Sequence, residues 1–256
     1  MRAIYRKLSR AWGPQHWWPA ETPFEVIAGA ILTQNTSWTN VERALTNLRE
    51  GGVLSVERIR ELPLAELEQL VRSSGYFRQK ALRIKNFIAL LDEKHNGSLD
   101  DMLSTPTQQL RVELLAQNGI GPETADSILL YAGHHPIFVV DAYTRRVLER
   151  HDAVTPGAKY GEIRTLVEQA LQHEKPLPIM VPKPRNYERR PDAHPPSSMS
   201  TASRAPLAQV YNEMHGLFVQ LGKHYCHKQL PKCEVCPLGA MLLRPVPAGP
   251  PPKKRK

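Results

Sequence analysis

The sequence predicts an all-α chain, and three observations carry that prediction. Apolar residues return at helical spacing in one segment after another. No stretch in the first half shows the convincing alternation of a strand. Prolines, glycines and short polar residues fall at the ends of the periodic runs. At 256 residues the chain has room for two modest lobes and a sizeable core. Lysine and arginine outnumber aspartate and glutamate to give a formal charge of +9, which suits a phosphate-rich partner, although a solvated basic surface gives the same composition. Apolar runs are short and broken by charge, so no membrane span is expected, and residues 1–10 lack the apolar core of a signal peptide. The 3 cysteines crowd into residues 226–236 instead of forming an extracellular disulfide framework, so an intracellular protein is expected.

A basic first helix, with Arg2, Arg6, Lys7 and Arg10, ends near Gly13, ahead of Trp17, Trp18 and Pro19. Thr22-Pro23-Phe24-Glu25 is a capping box with proline at the first helical position, and Phe24, Ile27, Ala28 and Ile31 form the buried face of the helix it opens. Leu32-Thr33-Gln34-Asn35-Thr36 is a polar break before the next helix, which starts at Trp38 and turns Val41, Ala44, Leu45 and Leu48 inward. A helix over 63–74 is stopped by Gly75, and a longer one over 76–96 presents Ala81, Ile84, Phe87, Ile88 and Leu91. Its Arg78, Lys80, Arg83 and Lys85 read as phosphate contacts or as an ordinary solvated face. Helices follow over about 142–150 and 160–173. Residues 174–206, rich in proline, serine and arginine, read as a flexible insertion, with Lys183, Arg185, Arg189 and Arg190 as nonspecific DNA contacts at most. An amphipathic helix over 207–224 resumes the order, and residues 241–256 form a basic tail, similar to a nuclear import signal or to an unstructured DNA-hugging end.

The stretch from Gln117 to Glu149, QNGIGPETADSILLYAGHHPIFVVDAYTRRVLE, organises the reading. A helix capped by Thr105 with Pro106 at its first position carries Leu110, Leu114 and Leu115, and Gly119 ends it. The next helix opens at Pro122 and shows Ala125, Ile128 and Leu129 at helical spacing. Gly119, Ile120 and Gly121 thus form a tight turn that leads into a helix N-terminus. There backbone N–H groups, with Glu123 and Thr124 in the first turn, face a phosphate that small glycines allow to approach. This is a helix-hairpin-helix, although a bare G-x-G between helices often only caps them. Asp141 stands at the start of another helix, as a cap or as a carboxylate available for chemistry.

LLAQNGIGPETADSIL followed by FVVDAYTRRVLER resembles the helix-hairpin-helix and downstream aspartate of the endonuclease III (HhH-GPD) superfamily of DNA glycosylases, and the resemblance runs from about Trp17 to Leu238. It implies a two-lobed fold: a six-helix barrel domain over 22–133, and a second helical domain built from both termini, residues 1–21 and 134–240. The cleft between them would present Asp141 to a flipped nucleotide. Asp141 falls on the family's catalytic aspartate, and Gln34 on the glutamine that enters the duplex where the damaged nucleotide has left, the bland alternative being a turn glutamine. Bifunctional members carry a lysine two residues after the second glycine. This chain has Glu123 there, which cannot form a Schiff base, so a monofunctional enzyme is implied. The Trp-Trp-Pro and Leu-Thr-Gln-Asn-Thr segments are similar to those of the endonuclease III-type 3-methyladenine glycosylases, so Trp17, Trp18 and Trp38 are candidate stacking surfaces for the base, with core packing as the alternative.

Many family members hold a four-iron four-sulfur cluster with C-x6-C-x2-C-x5-C. Cys226, Cys233 and Cys236 reproduce three positions, and Leu242 stands at the fourth. A cluster with a noncysteine fourth ligand, a zinc site completed by His224 or His227, and a metal-free loop remain open. The expected partner is double-stranded DNA with damaged bases, bound by a monomer. Alkylated purines such as 3-methyladenine are the favoured substrates, and uracil, mismatched bases, a lyase activity or a non-catalytic DNA-binding module are the alternatives.

Overall fold

The computed structural model describes residues 1–177 and 194–243. The four basic residues read as nonspecific DNA contacts, Lys183, Arg185, Arg189 and Arg190, and tail residues 244–256 lie outside them. The described residues are all-α, with no strand among them. In chain order the helices are α1 (Arg2–Trp12), α2 (Pro23–Leu32), α3 (Trp38–Glu50), α4 (Val56–Glu61), α5 (Leu64–Leu70), α6 (Phe77–His95), α7 (Leu99–Ser104), α8 (Thr107–Leu115), α9 (Pro122–Ser127), α10 (Ala142–Arg150), α11 (Tyr160–Leu171), α12 (Ser198–Thr201) and α13 (Pro206–His224). The chain divides into two compact units. Of the described residues, one unit comprises 18–137 with 197–203; the other comprises 1–17, 138–177, 194–196 and 204–243.

The first unit is built around α2. The Thr22 hydroxyl accepts the Glu25 N–H at 3.1 Å and starts the helix, as the sequence predicts. The returning half of the capping box goes elsewhere: the Glu25 carboxylate accepts the Glu21 N–H at 3.0 Å and pairs with Arg49. Every residue from Phe24 to Leu32 is buried, so the predicted single apolar face is in fact the whole circumference. A helix without a polar side has to be enclosed. α3, α6, α9 and the π-helical turn Ile128–Ala132 that continues α9 enclose it.

Two short helices, α4 and α7, are too brief to show periodicity, yet each begins at a serine whose hydroxyl accepts a first-turn N–H, Ser55 from Arg58 at 3.3 Å and Ser98 from Asp101 at 3.1 Å. The predicted helix over 63–74 breaks at Val71 into α5 and a 3-10 turn, Arg72–Ser74, where the Ser74 hydroxyl donates to the Val71 carbonyl at 2.7 Å. α8 starts later than predicted because Thr105 belongs to the end of α7, donating its hydroxyl to the Asp101 carbonyl at 3.2 Å, which leaves Pro106 as the cap.

The basic residues of α6 follow neither sequence reading in full. Lys80 is buried and donates to the Leu32 and Ser74 carbonyls at 2.9 and 2.6 Å, and Lys85 donates to the Ile59, Arg60 and Leu62 carbonyls at the end of α4. Both satisfy orphan carbonyls at helix ends, where positive charge is also favoured by the helix dipole. Arg78 alone among the four is strongly exposed, at 80%.

In the second unit the central element is α13, buried continuously from Met214 to Gly222 and packed against α10 and α1. Gly216 and Gly222 make this possible: an added Cβ at Gly216 would sit 3.0 Å from the Trp17 side chain, and one at Gly222 would collide with the Tyr143 ring. Trp12 at the end of α1 stacks on Tyr225 at 5.6 Å.

The C-terminal end of the stretch expected to be a flexible insertion is instead ordered. Ser197 caps α12, Met199 is buried, and the Met199 N–H donates to the Ala20 carbonyl at 3.0 Å, so residues 197–203 pack into the first unit. A four-residue helix held by one methionine leaves too little pattern to be legible among prolines and serines.

Burial pushes the Lys80 amine down to about 8. Its folded pKa thus lies below the unfolded value of about 10.4. As pH rises past 8 the native chain gives up its proton before the unfolded chain does, so stability should climb toward pH 10.5, by at most about 1.4 kcal/mol per pH unit. Urea unfolding across this window should show the climb in the wild type and a flatter profile in Lys80→Met; parallel profiles would refute the assignment.

Candidate active site

The hairpin between α8 and α9 is shaped by Gly119, whose φ of 85° suits glycine. A side chain there would also run into the Arg83 guanidinium. Ile120 is buried at 5% exposure and anchors the turn, while Gly121, Pro122 and Glu123 are exposed. Pro122 has no N–H, so the donors at the start of α9 are those of Gly121, Glu123 and Thr124, whose N–H groups precede the first helical acceptor.

Gln34 is committed to this hairpin. Its amide nitrogen donates to the Gly119 carbonyl and the Thr124 hydroxyl, both at 2.9 Å, and its amide oxygen accepts from Arg83. Thr124 is accordingly buried, its hydroxyl turned to Gln34. The geometry therefore gives Gln34 the part of a bracket joining the end of α2, the hairpin and α6; a side chain entering DNA would first have to release three partners. Asn35, with φ of 54°, is the exposed residue beside it.

The three tryptophans divide between the two units. Trp17 is buried in the second unit, with Lys223 Nζ 5.5 Å above its ring. Trp18 is buried in the first unit, edge-on to Trp38 at 5.2 Å and tilted against Tyr131 at 5.4 Å. Gly29 admits the Trp18 ring, which an added Cβ would approach to 3.2 Å. Trp38 is the partly exposed member, and its indole N–H donates to Glu42 at 2.7 Å. Apolar spacing gives no signal for a role of Tyr131 at a site. Tyr131 lies in the π-helical turn after α9, an irregularity frequent at functional sites.

Asp141 follows a fully buried stretch outside any helix, Ile137–Val140, in which the Ile137 N–H donates to the His135 carbonyl at 2.9 Å, the Phe138 N–H to Glu168 at 2.9 Å and the Val140 N–H to the Tyr160 hydroxyl at 3.3 Å. One Asp141 oxygen, Oδ1, accepts the Thr144 N–H at 2.7 Å and caps α10. The other, Oδ2, lies 3.7 Å from Nε2 of the buried His215 on α13. Burial lowers the His215 pKa, against the pull of Asp141, which favours the neutral ring. Tyr143, in the first turn of α10, has its pKa raised by burial and by Asp141, with Arg146 opposing from 5.1 Å over its ring. The carboxylate is thus held at one oxygen and available at the other. His215 carried no sequence signal, because its place beside Asp141 comes from packing of helices distant in the chain.

Cys226, Cys233 and Cys236 line one small void together with Arg150, His151, Leu221, Tyr225, Gly239 and Leu242. All three are unpaired in disulfides, and burial pushes the Cys236 thiol up to about 11. His224 and His227, the zinc ligands considered from the sequence, do not line it, and among the described residues no three acidic, histidine or cysteine side chains converge on a single-ion site. Three thiols around one void do fit a polynuclear group, whose ligands stand further apart than those of a single ion.

A glycine hairpin that opens a helix N-terminus, followed in the chain by an aspartate that caps a helix with one oxygen, on an all-α scaffold, is the pattern of a helix-hairpin-helix DNA-repair protein. Residues 28–173 match the HhH-GPD superfamily of base excision DNA repair proteins. The chain is 39% identical over 242 residues, 94% of each sequence, to a candidate DNA repair glycosylase of Methanocaldococcus jannaschii. To the endonuclease III of Thermotoga maritima it is 26% identical, over 84% of this chain and 79% of that one. The solved Helicobacter pylori 3-methyladenine DNA glycosylase, bound to 1,N6-ethenoadenine, superposes with a TM-score of 0.66 at 27% identity, covering 86% of this chain and 96% of that one. An endonuclease III trapped on DNA, 21% identical with a TM-score of 0.69 over 94% of this chain and 93% of that one, shares the fold. The chain belongs to the HhH-GPD superfamily of base excision DNA repair proteins, and it is a DNA N-glycosylase.

The bracket geometry predicts that Gln34→Ala lowers the unfolding free energy by about 1–3 kcal/mol, because Gly119, Thr124 and Arg83 each lose a partner. Chemical denaturation reads this directly. Full stability combined with lost base release would instead assign Gln34 to the DNA.

Proposed function

We propose that this glycosylase is monofunctional and releases alkylated purines, 3-methyladenine among them, from double-stranded DNA, acting as a monomer inside the cell. The observation that carries the reading is the state of Asp141: one oxygen locked by the Thr144 N–H, the other beside a buried histidine held toward its neutral form. Breaking the N-glycosidic bond leaves positive charge on the sugar. A carboxylate oxygen fixed in place stabilises that charge without reorganising, and it can orient or deprotonate the attacking water. His215 lies beside that second oxygen. An imidazole held neutral there leaves the carboxylate charge uncompensated, and so available to the oxocarbenium ion.

A cationic alkylated purine is already activated as a leaving group, so base release needs no second acid. The partly exposed Trp38, backed by Trp18 and Tyr131, offers an aromatic surface that attracts cations. The hairpin donors at Gly121, Glu123 and Thr124 would take a backbone phosphate while the base leaves the stack, a step that costs a few kcal/mol. Glu123, where a lyase lysine would stand, supports hydrolysis without strand cutting. The likeness to the H. pylori 3-methyladenine glycosylase favours the same substrate class. The relationship to endonuclease III favours a second reading, a glycosylase with lyase activity drawn from another lysine. In the cysteine loop, iron and sulfide bound by Cys226, Cys233 and Cys236 would brace the loop and supply a redox centre.

The test is base release from duplexes carrying 3-methyladenine, hypoxanthine, uracil or thymine opposite guanine, with and without alkali. Nicking of the 3-methyladenine duplex only after alkali is the expected result. Nicking without alkali, or a borohydride-trapped adduct, would establish the lyase, and preference for another lesion would replace the substrate. Asp141→Asn should slow release by about 100-fold or more while leaving the melting temperature unchanged, since asparagine caps a helix as well as aspartate does. Asp141→Ala should lose the same activity and, in addition, about 1 kcal/mol of stability.

A further inference from the structure

The void in the cysteine loop has a fourth polar wall that does not come from the loop. His151, the residue that ends α10, lines it beside the three cysteines, and Nδ1 of its ring is buried with no hydrogen-bond partner among the described residues. A buried ring nitrogen left unpaired is costly unless something else occupies it. The Met241 backbone lies beside the same ring. Leu242, at the position of the family's fourth cysteine, lines the same void but has no donor atom.

The loop around the void is defined by its own backbone. The Cys226 N–H donates to the Leu221 carbonyl at 2.8 Å, the Lys232 N–H to Tyr225 at 2.9 Å and the Gly239 N–H to Cys236 at 2.9 Å. A side chain at Gly239 would run into the Cys233 carbonyl, so this turn too is fixed. Arg150 donates to Cys226 Sγ at 3.1 Å, placing a permanent cation beside sulfurs that become anionic as ligands. A single zinc ion requires four donors within about 2.0–2.3 Å of one point. No such convergence exists among the described residues, whereas a cluster keeps its ligands apart around a core of iron and sulfide.

We propose that the void binds a four-iron four-sulfur cluster through Cys226, Cys233 and Cys236, with the imidazole of His151 as the fourth ligand. The family position at 242 has lost its donor, and α10 supplies one in its place. The same helix is capped by Asp141 at its other end, so the cluster would tie down the element that carries the aspartate.

The protein should be reconstituted anaerobically with ferrous iron and sulfide, and its metal, acid-labile sulfide and electron paramagnetic resonance measured. The expected wild type holds about four irons per chain. In the reduced state it shows nitrogen hyperfine coupling from a histidine ligand. His151→Ala should convert readily to a three-iron cluster on mild oxidation, and His151→Cys should restore four irons without the nitrogen coupling and at a lower reduction potential. Nitrogen coupling absent from the wild type, or persisting in His151→Cys, would overturn the ligand assignment, as would a His151→Ala cluster with the wild-type spectrum. Stoichiometric zinc without sulfide, or no metal uptake at all, would overturn the cluster itself. The hyperfine measurement needs no variant, so misfolding of a mutant leaves the proposal open to refutation.

Discussion

The first unit depends on one constraint: α2 has no side that water can face. Each large apolar side chain moved out of water contributes about 1.5–3 kcal/mol, so a helix apolar all round is stable only when other helices surround it. Its C-terminal carbonyls then end in the interior, where each needs a donor. Lys80 supplies one to Leu32, and the chain leaves the core at a fixed point. Two residues later stands Gln34, which joins that exit to the hairpin through Gly119 and Thr124. The position of the hairpin turn is thus inherited from the burial of α2.

The second unit shows the same dependence around α13. Small residues at Gly216 and Gly222 let Trp17 and Tyr143 pack against its backbone, and the helix carries His215 to the aspartate. The stretch before Asp141 forms no helix, so the buried N–H groups of Phe138 and Val140 rely on Glu168 and on the Tyr160 hydroxyl. Those two side chains, with the cap to Thr144, determine where the carboxylate sits. Helix capping and the proposed chemistry use different oxygens of one residue, and for this reason structural and catalytic duties do not compete.

Charge in this molecule serves structure more than composition suggests. An excess of basic residues suits a nucleic-acid partner. Even so, Lys80, Arg83 and Lys85 are committed to carbonyls or to Gln34, Arg146 donates to the Cys226 and Gly222 carbonyls, and Arg111 pairs with the fully buried Asp126. Counting cations along α6 therefore overstates the surface open to phosphate.

What the sequence determined by itself was local. The proline and threonine at the start of α2, the glycine pair of the hairpin, the aspartate cap of α10 and the apolar spacing of α3, α6 and α13 all act within a few residues, and each was legible. The family resemblance rested on the same local motifs. Short helices such as α4, α7 and α12 escaped notice because six residues or fewer do not complete a periodic pattern. The partners of Gln34, the burial of Trp18 with Tyr131, the approach of His215 to Asp141 and the presence of His151 beside the cysteines were decided by tertiary structure alone. Each pairs residues far apart in the chain, and such a pairing is fixed only when helices pack, because packing sets which distant side chains share a space too small for water.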